Sequence, residues 1–187
     1  MMKRITIIIA IIVASLATNA TAQRYVVRDV AAIEFELNVG LATAANQMPQ
    51  YGNTRQGVDA NIELRYNFAT APVDLGLYFS ICSLRRGESV GNMAKNFAFD
   101  SQNLLVTSDY IFYQGRNVQP YAGLGVGLAW SDINTDGSIH ETHFAVMPRV
   151  GIEIVQRLRI SLGYKLFDRA NNHLVLGIGL VFGGGLR

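Results

Sequence analysis

The chain has a single cysteine, Cys82. It cannot form an internal disulfide, and a cysteine-based metal or redox framework fails by count. Cys82 reads as a small strand residue. Charge is also scarce, at 16% of the 187 residues. Lys3 and Arg4 are the only charged residues in 1–22, so the formal +2 of the whole chain falls to zero if that segment is removed. No basic excess is then left to hold nucleic acid. Beyond the amino terminus no apolar run reaches the about 20 residues that a membrane helix needs. Yet 50% of the residues are hydrophobic. High apolar content without long apolar runs leaves alternating strands as the way to use it.

The amino terminus has the build of an export signal. Lys3 and Arg4 form a charged start, Ile5–Ala17 is apolar, and Ala20-Thr21-Ala22 is a small-x-small cleavage site. The apolar run is too short for a transmembrane anchor, the rival reading, and no cysteine follows it as in a lipoprotein signal. Residues 1–22 are therefore expected to be removed, leaving 23–187 as one domain.

The clearest pattern is Val118–Trp130. Ala122, Leu124, Val126, Leu128 and Trp130 share one parity; Gln119, Tyr121, Gly123, Gly125, Gly127 and Ala129 share the other. A period of two makes a strand with two different faces. Glycine weakens a strand interior unless something must approach it closely. A narrow barrel gives that reason, with bulky side chains reaching in from across the lumen.

Seven further alternating stretches follow the same logic: 31–41, 58–68, 72–84, 101–113, 142–155, 158–167 and 173–182. The fourth strand, 101–113, is the least regular, because Ser108 falls on the apolar parity of Leu104, Val106, Tyr110 and Phe112. Pro148 falls on the apolar parity of the sixth and predicts a bulge or kink. The connections 42–57 and 85–100 read as long polar loops and 131–141 as a medium one, whereas 69–71, 114–117 and 156–157 are tight. Long and short connections alternate, which suits an eight-stranded antiparallel up-and-down meander with its long loops at one end.

Alternation alone does not say which face is inside, since a lipocalin-like barrel is apolar within. The aromatics of the apolar face gather near the strand ends. Tyr66, Phe68, Tyr110, Phe112 and Phe182 lie at one end, and Phe79, Trp130, Phe144 and Tyr164 lie toward the other. Two such belts mark membrane interfaces. The polar face is rich in glycine and carries charges of both signs. The predicted fold is therefore an all-β transmembrane barrel, apolar outside and polar inside. Eight strands enclose a lumen that side chains can fill. Buried charges must pair, so Glu36, Glu63, Arg65, Asp74, Arg149, Glu153 and Arg159 are expected to form a structural ion network. Arg149 is placed at its centre, with Glu63 or Glu36 as the distant partner and Glu153 on the same face.

Pro120-Tyr121-Ala122-Gly123-Leu124-Gly125-Val126-Gly127, Pro148-Arg149-Val150-Gly151-Ile152-Glu153 and the last strand resemble the small eight-stranded outer-membrane barrels, the OmpA transmembrane-domain and OmpX type. The resemblance spans nearly all of 23–187. It implies an outer-membrane location among lipid and lipopolysaccharide. Gly177-Ile178-Gly179-Leu180-Val181-Phe182 looks like the carboxy-terminal signal read by the barrel-assembly machinery, although five residues follow Phe182. It implies no single activity, and an extracellular ligand at the loops is one role it allows.

The residues carry little chemistry. His140 and His143 are three apart, whereas the zinc-protease helix needs two histidines four apart, so neither metal nor cofactor is expected. Some barrels of this kind modify lipid A with a rim histidine and a Ser or acidic partner. His143 with Ser138, Asp132 or Asp136 is the only imitation, so a non-enzymatic role is preferred and lipid A modification is the alternative.

Overall fold

The computed structural model describes residues 31–45, 53–69, 71–90, 93–112, 117–134, 138–168 and 171–183. The segment expected to be an export signal, the middle of the first long loop and the residues after Gly183 lie outside them. Eight strands run in chain order: β1 (Ile33–Ala44), β2 (Asn53–Asn67), β3 (Val73–Val90), β4 (Met93–Ile111), β5 (Val118–Asn134), β6 (Ser138–Ile154), β7 (Leu158–Lys165) and β8 (His173–Gly183). Each pairs antiparallel with its chain neighbour, and β8 returns to β1, closing the barrel. Closure removes the two open edges of the sheet, the condition for crossing lipid with strands.

The alternation read from the sequence sets the two surfaces. In β1, Glu34, Glu36 and Asn38 are buried while Ile33, Phe35, Leu37, Val39 and Leu41 are exposed. The same inversion runs round the barrel, and Phe144, at 67% exposed, is its extreme. So continuous an apolar exterior is untenable in water and is what a lipid-facing wall requires. Tyr66, Phe68 and Phe182 are exposed toward the turn end, and Trp130 and Phe144 toward the other. Tyr66 and Phe68 meet edge to face at 5.1 Å, as do Tyr110 and Phe112 at 5.2 Å.

Two of the expected loops are strand instead. The β3–β4 register runs without a slip from Val73↔Tyr110 to Val90↔Met93, so 85–90 and 93–100 continue the two paired strands. The β5–β6 register likewise runs to Asn134↔Ser138, through most of 131–141. In the first loop, strand persists to Ala44 and resumes at Asn53, with a register shift between Thr54 and Gly57. About 9–11 residues per strand cross a bilayer, whereas β3 has 18 and β4 has 19. Both strands are longer than that span needs. The backbone ladder continues through 85–90 and 93–100 although the sequence no longer alternates cleanly.

Pro148 does not create the expected bulge. It pairs with Leu124 in an unshifted β5–β6 register. On its other side the β6–β7 ladder stops at Arg149↔Gly163 and resumes, in the same register, at the isolated bridge Val146↔Leu166. The missing N–H interrupts the ladder without displacing it.

Among the described residues, the non-glycine positions with positive φ lie in the β6–β7 turn. Val155 and Gln156 have φ of 51° and 56°, and Arg157 N–H donates to the Ile154 carbonyl at 3.1 Å. Positive φ at both central positions is the type I′ geometry, which favours Asn-Gly and penalises a β-branched residue. Substituting Val155→Asn together with Gln156→Gly is expected to stabilise the barrel by about 1 kcal/mol. An unchanged or lower urea midpoint in lipid would contradict the strain.

Candidate functional site: the lumen

Strand alternation delivers seven buried acids, Glu34, Glu36, Asp59, Glu63, Asp74, Asp109 and Glu153, and four buried bases, Arg65, Arg149, Arg159 and Lys165, to the interior. Arg149, on β6, grips two carboxylates. Its Nη1 and Nη2 donate to Glu63 Oε2 and Oε1 at 2.8 and 2.6 Å, and its Nε and Nη2 donate to Asp109 Oδ1 and Oδ2 at 2.8 and 2.9 Å. Both are bidentate pairs, the strongest geometry a guanidinium offers. Glu63 comes from β2 and Asp109 from β4, so the contacts reach across the lumen.

Neighbouring pairs extend the cluster. Asp109 also accepts a hydrogen bond from Arg159, whose guanidinium lies over the Tyr121 ring at 3.7 Å. That contact is a cation–π interaction in a desolvated place. Arg65 pairs with Glu36 and donates to Glu34 Oε2 at 3.1 Å. Arg65 lies 3.4 Å from Glu63, and Arg159 lies 3.6 Å from Glu36, which ties the two halves together. Thr107 donates to Glu63 Oε1 from the side.

Five of the seven residues expected in a network, Glu36, Glu63, Arg65, Arg149 and Arg159, sit in this one cluster. Glu153 lies at its margin, 3.8 Å from Arg65, and does not bridge to Arg149 on its own strand. Asp74 is buried at the turn end, in no ion pair, and its Oδ1 has no partner. Asp109 was legible as an inward acid, yet nothing in the sequence marks it as the carboxylate between two arginines. That role follows from the β4–β5 and β5–β6 registers, which bring Asp109 and Arg149 to the same residue, Gly123.

The inward glycines make room for this cluster, although the crowding comes mostly from adjacent strands rather than from across the lumen. A Cβ at Gly123 would collide with the Asp109 carboxylate on the next strand. One at Gly76 would stand 2.6 Å from Glu63 Oε1 and 2.5 Å from Thr107 Oγ1. Gly76→Ala would push Glu63 from its place, and it is expected to lower the urea midpoint more than Gly163→Ala, where the nearest atom is 3.7 Å away. Equal effects would argue against tight packing around Glu63.

Above the arginine cluster lie Tyr78, Leu105, Ala129, Ala145 and Met147, then a second polar group, then Ala42, Leu84, Phe99 and Val175. In the second group, Lys165 Nζ donates to Asp59 Oδ2 at 2.5 Å and to Ser80 Oγ at 2.6 Å. Cys82 and His173 are fully buried beside it. Between the two polar groups is a cavity of about 20 Å³ lined in part by Glu63, Tyr78, Met147, Arg149 and Lys165. A single water needs roughly 10–15 Å³. Between these two groups the described side chains therefore leave room for little more than one water.

At the rim, His143 Nε2 lies 3.3 Å from Glu141 Oε2 without hydrogen-bond geometry, and its ring faces Phe167 at 6.5 Å. Asp136 lies outside the described residues, and so do the side chains of Ser138 and His140.

No family model matches the chain, and no curated protein matches it in sequence. Solved structures do match in shape. Neisserial surface protein A superposes with a TM-score of 0.60 at 13% identity, over 82% of this chain and 98% of that one. Ail, the attachment invasion locus protein of Yersinia pestis, in complex with a heparin analogue, gives 0.49 at 17% identity, over 80% and 99%. The amino-terminal β-barrel domain of Pseudomonas aeruginosa OprF gives 0.48 at 18%, over 83% and 98%. The closed order of eight strands, the apolar exterior and the likeness to the neisserial barrel agree: this chain has the fold of the small eight-stranded outer-membrane β-barrels.

Proposed function

We propose that the protein is an integral outer-membrane barrel of a Gram-negative envelope that closes its own lumen and acts through the strands above the lipid. The observation that carries this reading is the double bidentate grip of Arg149 on Glu63 and Asp109, which fills the interior where a pore would run. Residues 1–22 serve export and are removed. The apolar wall meets outer-membrane lipid and lipopolysaccharide, and the last strand presents Phe182 to the barrel-assembly machinery. The role is structural or surface-binding, with the tall β3–β4 and β5–β6 hairpins as the surface offered to an extracellular ligand. Nucleic acid is not a partner.

Orientation gives the direct test. A protease site inserted between Val90 and Met93 is expected to be cut on intact cells, and one between Phe112 and Asn117 to be protected. Equal protection of the two would remove the orientation. Shortening the β3–β4 hairpin is expected to leave the barrel folded and to reduce any binding of the protein to an extracellular ligand.

The alternative, an enzyme that modifies lipid A, rests on His143 beside Glu141 at the rim. Labelled lipid A in vesicles carrying the protein distinguishes the two. An unchanged label favours the binding role, and a changed label that disappears with His143→Ala favours the enzyme.

A further inference from the structure

We propose that Cys82 and His173 bind one monovalent soft metal ion of the Cu⁺ class inside the lumen, with the Asp59 carboxylate alongside. The three residues come from different strands: Asp59 from β2, Cys82 from β3 and His173 from β8. Asp59 and Cys82 are register partners, and His173 is the register partner of Lys165. The barrel thereby collects one sulfur, one imidazole nitrogen and one carboxylate oxygen within 4.8 Å of one another. All three side chains have no exposed surface.

The imidazole is held as a ligand is held. His173 Nδ1 lies 2.7 Å from the Asn171 carbonyl, a contact that places the ring proton on Nδ1. Metal-bound histidines characteristically donate their other ring N–H in this way. The Phe167 ring meets the imidazole edge to face at 5.9 Å and fixes its plane. Nε2 is left with a lone pair and no hydrogen-bond partner, fully buried. Such an orphaned acceptor is costly in a packed interior unless something binds it. Cys82 is the free thiol in reach of the same cluster.

Charge selects the ion. Lys165 is ion-paired with Asp59 at 2.5 Å, so a fixed positive charge already stands beside the ligands. A monovalent ion that displaces the thiol proton to solvent forms an S–metal and an N–metal bond and leaves the charge of the site as it was. A divalent ion making the same exchange adds a net positive charge next to Lys165 in a dry place, which is strongly disfavoured. Thiolate with imidazole is also a donor set that suits soft Cu⁺. Sequence reasoning could not see the site, since its residues lie far apart in the chain and meet only through the registers and barrel closure.

The test uses Ag⁺, the redox-inert stand-in for Cu⁺. The barrel is refolded into detergent micelles with Ag⁺ or Zn²⁺, washed with a chelator, checked for protease resistance, and its metal measured by mass spectrometry. About one Ag⁺ per chain is expected in the wild type, less than a tenth of that in Cys82→Ser or Cys82→Ala, and at least tenfold weaker retention in His173→Gln. Zn²⁺ is expected to be lost in the wash. Retained Ag⁺ should also raise the wild-type unfolding temperature and leave that of Cys82→Ala unchanged. Absence of Ag⁺ from the folded wild type would overturn the proposal. So would full retention in His173→Gln, which would mean a thiol acting alone, or retention of Zn²⁺ at the Ag⁺ level.

Discussion

Arg149→Met is expected to destabilise the folded barrel by about 3–5 kcal/mol, the range for removing one partner of a buried ion pair. The loss would come less from the missing attraction than from what stays behind. Glu63 and Asp109 together receive four hydrogen bonds from this one side chain. Without it, two carboxylates remain beside a cavity of about 20 Å³ that Glu63 lines, too small to hydrate both. Arg159 still pairs with Asp109, and Arg65 still stands 3.4 Å from Glu63, so the cluster does not come apart wholly. The triple change Arg149→Met, Glu63→Gln, Asp109→Asn is therefore expected to be more stable than Arg149→Met alone, because the unpaired charge goes with its partner. Urea unfolding in lipid measures both. A triple variant less stable than the single one would mean that the carboxylates are not a burden once the arginine is gone.

The second large effect concerns the outer wall. Leu162 lies on the exposed parity of β7 and pairs with Val150 and Leu176, both also exposed. An arginine there would place a charge in hydrocarbon and is expected to cost about 2–4 kcal/mol, the range for the bilayer midplane. Ser161, one residue away, lines the lumen cavity with Glu36 and Glu63. Ser161→Arg would meet carboxylates and is expected to fail, if at all, by crowding rather than by charge, so that Ser161→Lys is better tolerated than Leu162→Lys. The comparison is read from the fraction of protein that folds into vesicles. Equal yields for Leu162→Arg and wild type would reverse the assignment of faces.

The fold was largely legible, and the reason is physical. A wall with lipid on one side and a packed polar lumen on the other forces strict alternation, and β1, β5 and β8 display it residue by residue. Where that constraint lapses, the reading lapsed too. The stretch 85–100 lacks a clean alternation in the sequence, so it reads as loop although the backbone ladder continues from Val73 to Val90 against β4. Pro148 announced a disturbance but not its form, since only the pairing on its β7 side depends on the missing N–H. The lumen could be read by parity but not by contact. Arg149 and Glu63 are inward by pattern, and the structure places them together. Asp109 as the shared carboxylate, Asp74 as the one left out, and the meeting of Asp59, Cys82 and His173 depend on register and on closure of β8 onto β1. Neither is encoded in any local stretch.

The most direct measurement of whether this barrel is a filled membrane protein is single-channel recording in planar lipid bilayers, made on refolded wild type with insertion verified by protease protection. Arg149 is bound to Glu63 and Asp109 across the lumen, beside a cavity of about 20 Å³. Wild-type protein is therefore expected to insert and leave the bilayer electrically silent, with brief openings appearing in Arg149→Met. A large, steady conductance from the wild type would contradict the filled lumen.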